Sequence, residues 1–139
     1  MTVAVMRSAS GNLVSAETTT PVPVDGYESA VVRLDITTLT IGASEEVDFY
    51  FQTTYNNADW VDVFNVHYAQ ADTGNTPKTL YSVGAPVLGT VIVITPVVET
   101  DGTLTDDLLN LLPLGVSVRW KTLLTNGGIY AYNSEIFLK

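Results

Sequence analysis

Along SAVVRLDITTLTI, residues 29–41, apolar and polar positions alternate: Ala30, Val32, Leu34 and Ile36 point one way, Val31, Arg33, Asp35 and Thr37 the other. A period of two is the repeat of a β-strand with one buried and one wetter face. The pattern returns in EEVDFYFQTTYNNADWVDVFNVHY, residues 45–68, where Val47, Phe49 and Phe51 share a face opposite Asp48, Tyr50 and Gln52. The YNNAD stretch then supplies two asparagines, which tolerate positive φ in a turn. Residues 45–68 therefore predict a hairpin whose Phe49, Phe51 and Phe64 enter the core. Its second strand is out of phase with itself, because Val61 and Val63 alternate oddly while Trp60, Phe64, Val66 and Tyr68 alternate evenly. A β-bulge near Val63 and Phe64, one extra residue that switches faces, resolves the conflict.

Further strands are predicted at KTLYSV (78–83), TVIVITPVVE (90–99), GVSVRWKTLL (115–124) and GIYAYNSEIFLK (128–139). Pro96 argues for an edge or a bulge in the second of these, since proline cannot donate to a ladder. Trp120 is in phase with Val116 and Val118 and reads as core, and TNGG (125–128) reads as a hairpin turn joining the last two strands. TDDLLNLLP is the one helix candidate: Thr105 can cap it, Asp106 and Asp107 suit its positive end, and Pro113 stops it. Residues 8–28, centred on TTTPVPVDG, read as an extended arm or loop, because Pro21 and Pro23 favour extended backbone and interrupt pairing. Short strands separated by turn signals predict an all-β fold. The expected form is an antiparallel β-sandwich, Ig-like or jelly-roll-like, in a single domain over 1–139 with one short helix at most; a small barrel is the alternative.

Composition sharpens this in three ways. Thr and Val, nineteen each, are the commonest residues, and β-branched side chains favour strands. With 139 residues the chain can bury about two-thirds of its unfolded surface, so its lack of cysteine is no handicap; it also removes disulfides, thiolate nucleophiles and cysteine zinc sites. The net charge of −9 repels nucleic acid phosphates and anionic membranes, so a protein surface is the expected partner. MTVAVMRSASG lacks the basic start and long apolar region of a secretory signal, which points to synthesis in a cytoplasm. The longest purely apolar runs, Val91 to Ile94 among them, fall far short of the about 20 residues of a membrane span.

Candidate chemistry is sparse. His67, the single histidine, would have to be any general base near neutral pH, yet it sits mid-strand between Val66 and Tyr68 and reads as structural. No serine lies in a GxSxG elbow, so no hydrolase triad is indicated. ETDGTLTDD is rich in oxygen ligands but lacks calcium-loop spacing and a bidentate glutamate, and the glycines form no nucleotide-binding pattern. No catalytic residue, metal ligand or cofactor is assigned, and the chain is expected not to be an enzyme. Trp60, directly after the asparagine turn, is the candidate sugar-stacking side chain if the sandwich is a carbohydrate-binding module.

One set of short elements recurs together: AVVRLDIT; VDFYFQTT, ending in Gln-Thr; a polar turn; the Trp-x-Asp start of WVDVFNV; and the Gly-x-x-Val-Arg strand GVSVRW, followed by a glycine turn and a final strand. This order, over roughly residues 29–68 and 115–139, resembles small β-sandwich virion proteins of tailed bacteriophages. The chain departs from them at Asn56, Asn57 and Ala58, where an Asp-Gly-Gly kind of turn is usual, and in the insert 85–114. The resemblance implies a structural virion part made in the host cytoplasm: first a capsid decoration or cement protein on the major capsid protein, or else a head-tail junction component. The carbohydrate-binding module, on a tail or fibre, is a separate alternative raised by the aromatic residues. The resemblance also implies other virion proteins as partners and a homo-oligomer, a trimer first. Thr20, Pro21, Val22, Pro23 and Val24 of the arm are the expected capsid or subunit interface.

Overall fold

The alternation in residues 29–40 becomes the longest strand of the fold. The computed structural model describes residues 1–8, 11–84, 98–110 and 112–139. Its strands are β1 (Thr2–Arg7), β2 (Glu17–Thr18), β3 (Val22–Pro23), β4 (Ser29–Thr40), β5 (Glu46–Thr54), β6 (Trp60–Tyr68), β7 (Lys78–Gly84), β8 (Ser117–Thr125) and β9 (Ile129–Leu138). They form an antiparallel sandwich of two sheets, ordered β1-β9-β4-β7 and β2-β8-β5-β6, with β3 also pairing β8. The one helical turn among the described residues is 3₁₀, Gln70–Asp72, and no helix there is long and apolar enough to cross a membrane.

Three register shifts among the described strands set which side chains face inward, one of them between Val5 and Arg7 of β1, where Met6 is buried. In the β5–β6 hairpin Phe51 lies opposite Phe64 and Gln52 opposite Asp62, so Val63 is the extra residue that the phase conflict demanded. The third register shift, between Ile36 and Thr38 of β4, lets Leu39 join Val32, Leu34 and Ile36 in the core.

The core is built from aromatic rings meeting edge to face. Phe49 sits among Tyr68, Trp120, Tyr130 and Tyr132, with centroids 5.1–6.3 Å away and planes near perpendicular, the arrangement in which a positive ring edge meets a negative face. Phe51 stacks on Phe64 and meets Trp120. Trp120 is fully buried, and its indole N–H donates to Ser134 Oγ at 2.7 Å, so the burial leaves no orphan donor.

Two expectations change. TNGG does not close a hairpin: β8 pairs with β5 and β9 with β4 and β1, so the turn carries the chain from one sheet to the other, with Asn126, Gly127 and Gly128 at positive φ. The crossing brings Tyr130 and Tyr132 of β9 against Phe49 of β5 from the facing sheet. TDDLLNLLP is not a helix. Its backbone pairs instead with the edge of β6, where Asn65 N–H donates to Leu108 O and Asn110 N–H to Val63 O; Asp107 turns the chain at φ 55°. The described residues of the expected arm touch both sheets at several points. Leu13 exchanges backbone bonds with Tyr130, Thr19 N–H donates to Trp120 O, and Val24 N–H donates to Val116 O. Of TVIVITPVVE, residues 90–97 lie outside the described residues. The strand β1 had no counterpart among the expected elements.

Removing the Phe51 ring deletes contacts to both Phe64 and Trp120 in a site with no exposure. Phe51→Ala should therefore lower unfolding free energy by about 3–5 kcal/mol, measured by urea denaturation; a loss below about 1 kcal/mol would contradict this packing.

Candidate functional site

The polar face of β5 was expected to be wet, yet all of Val47–Thr54 is buried. Residues 100–110 and 112–116 lie across it as a strap, and the chemistry-bearing side chains gather beneath. The bulge at Val63 makes this possible by placing Trp60, Asp62, Asn65 and His67 opposite Thr54, Gln52, Tyr50 and Asp48, all on one face.

At one end the anchor is Asp62, with no solvent exposure. Its carboxylate accepts the backbone N–H groups of Gly102 (2.9 Å), Thr103 (3.1 Å) and Leu104 (3.1 Å), and Oδ1 also accepts Gln52 Nε2 at 2.8 Å. Successive N–H groups converging on an anion are the main-chain equivalent of a cationic partner. Gln52 uses its whole amide: Nε2 donates also to Asp101 Oδ1 (2.7 Å), and Oε1 accepts Arg119 Nε (2.8 Å). The Arg119 guanidinium lies 4.1 Å over the Trp60 ring, a cation–π contact, and Lys121 Nζ reaches Asp101 Oδ1 at 2.9 Å. Burial pushes the Asp101 carboxyl up, but hydrogen bonds from Lys121 and Gln52 and the Lys121 and Arg119 charges outweigh it and hold the group below its ordinary value. Asp62 and Asp101 thus face Arg119 and Lys121, a balanced set.

Gly115 closes this end. Its N–H donates to Thr53 Oγ1 at 2.8 Å, and a Cβ there would stand 2.0 Å from Thr54 O, so only glycine allows the strap to approach β5.

At the other end His67 Nδ1 lies 2.8 Å from Asp48 Oδ1 and 3.5 Å from Asp106 Oδ1, while Asn65 Nδ2 donates to Asp48 and the His67 N–H donates to Asp107 Oδ1. Burial alone pushes the His67 imidazolium down. The hydrogen bond to Asp48 and the charges of Asp48, Asp106 and Glu46 outweigh it, and the group ends above its ordinary value. Desolvation and the carboxylates Asp48, Asp62 and Asp106 push Tyr50 up to about 12.

The residues singled out from sequence are scattered. Trp60 and His67 share this face. Thr20, Pro21 and Pro23 are exposed at the opposite edge beside β8, Val22 is half-buried, and Val24 belongs to the core. Gln52, Asp62, Asp101 and Arg119 were not identified individually; their common signal was the placement of Gln52 on the polar face and the Trp-x-Asp and Val-Arg pairs. Two shallow clefts, about 220 Å³ beside Val24 and Leu138 and about 240 Å³ beside Tyr55 and Leu112, fall below the roughly 300 Å³ at which ligand pockets begin.

Two outcomes test this geometry. Asp62→Asn places an amide N–H among converging donors and should cost about 3 kcal/mol, with the strap becoming the first site of limited proteolysis; unchanged stability and cleavage would contradict the anchoring role. The His67 ring, followed by NMR, should titrate above its ordinary 6.5 and fall in Asp48→Asn. Because the folded value is the higher one, the protonated ring adds stability that is full below the unfolded value and is lost as pH rises through the folded one.

No family model, curated protein or solved structure matches the chain.

Proposed function

We propose that the chain is a structural virion protein of a tailed bacteriophage, a capsid decoration or cement protein that docks on the major capsid protein. The supporting observation is where the residues of the resemblance lie. Gln52 and Thr53 of the Gln-Thr element, Trp60 and Asp62 of Trp-x-Asp, and Gly115 and Arg119 of Gly-x-x-Val-Arg touch one another directly. Short motifs that meet in space describe one folded unit, whereas chance matches would be scattered. Their donors and acceptors are used in mutual bonds, as suits a rigid part more than a reaction centre.

Docking falls to the first sheet. Among the described residues β1 pairs only with β9, and Val3 and Val5 are exposed along it. A row from Val5 through Glu135 and Arg33 to exposed Leu80 crosses the open face. The unpaired edge of β1 offers backbone groups to a neighbouring subunit, whereas Pro21 and Pro23 blunt the adjoining edge of the second sheet, which the Arg7–Glu17 ion pair ties to β1; there Thr20, Pro21 and Pro23 can add side-chain contacts alone. Self-association into a homo-oligomer, a trimer first, would use the same edge. The carbohydrate-module alternative needs an open Trp60 ring, and Arg119 already covers one face of it.

Add-back is the test: purified chain is mixed with capsids lacking it. The native chain should bind saturably, and a Val3→Asp, Val5→Asp variant that melts normally should bind at least about tenfold more weakly, since edge charges oppose strand addition. Equal binding would remove β1 from the interface. Failure of the native chain to bind would overturn decoration and move the head-tail junction or the sugar-binding module to first place.

A further inference from the structure

The two ends of the strapped face are unequal in charge. At the Asp62 end two acids meet two bases, whereas at the His67 end Glu46, Asp48, Asp106 and Asp107 gather with the imidazole as the sole ion-pairing base among the described residues. One ligand atom each from Glu46, Asp48 and His67 lies within 4.8 Å of the others. His67 Nδ1 carries one proton or one lone pair, yet it faces two carboxylate oxygens, Asp48 Oδ1 at 2.8 Å and Asp106 Oδ1 at 3.5 Å. A single proton cannot make a linear bond to both.

We propose that Glu46, Asp48 and His67, completed by Asp106, bind a divalent transition-metal ion of the zinc class. Donors held at about 2.0–2.2 Å in a tetrahedral shell stand about 3.3–3.6 Å apart; the 2.8 and 3.5 Å spacings about His67 Nδ1 lie near that range, and the 4.8 Å span of Glu46, Asp48 and His67 would close onto an ion by side-chain rotation. The imidazole nitrogen distinguishes the set from all-oxygen calcium and magnesium sites. Asp48 is buried and oriented by Asn65, the outer hydrogen bond that ligating carboxylates commonly carry. The ligands come from β5, β6 and the strap, so the ion would staple three separate segments, acting structurally. Asp106 belongs to ETDGTLTDD, but its partners lie in the hairpin, which is why loop spacing did not reveal the site.

The test is calorimetric titration of Zn²⁺ into the chelator-treated full chain near neutral pH, with Ca²⁺ in parallel. One-to-one saturable Zn²⁺ binding is expected, with a higher melting temperature and Ca²⁺ weaker; Asp106→Asn should bind about tenfold more weakly and His67→Ala more weakly still. Should His67→Ala unfold, the native chain still decides: Zn²⁺ must shift the His67 Nδ1 resonance and suppress the ring's titration. Absence of saturable binding up to millimolar Zn²⁺, affinity unaltered by His67→Ala, or an unmoved Nδ1 signal would each overturn the site. The proposal does not rest on the virion reading, and capsid binding does not bear on it.

Discussion

The carboxylate of Asp62 is the contact on which the second sheet depends. A fully buried anion is costly unless its lone pairs are filled, and here three consecutive backbone N–H groups and a glutamine amide fill them. Each of those donors belongs to an element that must be in place: Gly102, Thr103 and Leu104 fix the strap, and Gln52 fixes β5. Gln52 in turn orients Arg119, which covers Trp60. Loss of the anion would leave several inward-facing donors unpaired at once, so strap and sheet stand or fall together.

The strap also resolves an edge problem. β6 ends its sheet, and an unpaired edge invites association with other chains. Residues 100–110 occupy it through bonds at Asp62, Val63 and Asn65. The residues that looked helical from Thr105, Asp106, Asp107 and Pro113 instead turn at Asp107 and follow the edge as far as Asn110. Local capping signals gave way because the edge supplies hydrogen-bond partners at no cost in burial, whereas a two-turn helix nucleates poorly by itself.

This outcome explains what could be read from the chain. The sandwich, the hairpin, the inward Phe49, Phe51 and Phe64, and the bulge at Val63 all follow from a period of two and its interruption, properties local to each strand. The register shift after Ile36 carries the same signature, since Leu39 and Ile41 are out of phase with Ile36, and was legible in principle. What local pattern does not encode is which sheet a strand joins. TNGG looks alike whether it closes a hairpin or bridges two sheets, and the burial of Asp48, Tyr50 and Gln52 depends on a segment some fifty residues away. His67 was visible as a mid-strand histidine. Its proximity to Asp106 was not, because strap and hairpin meet only in three dimensions.

The placement of β9 has a consequence for biosynthesis. This strand, ending at Leu138, lies between β1 and β4, and Lys139 exchanges backbone bonds with Ser29. The first sheet therefore lacks a central strand until residue 138 has left the ribosome, and among the described residues β1 has no other strand partner. Contacts so distant in sequence make for slow, all-or-none folding. A chain halted before β9 would leave β1 and β4 with open edges, targets for proteases and chaperones, so the order of synthesis itself marks out chains that lack this strand.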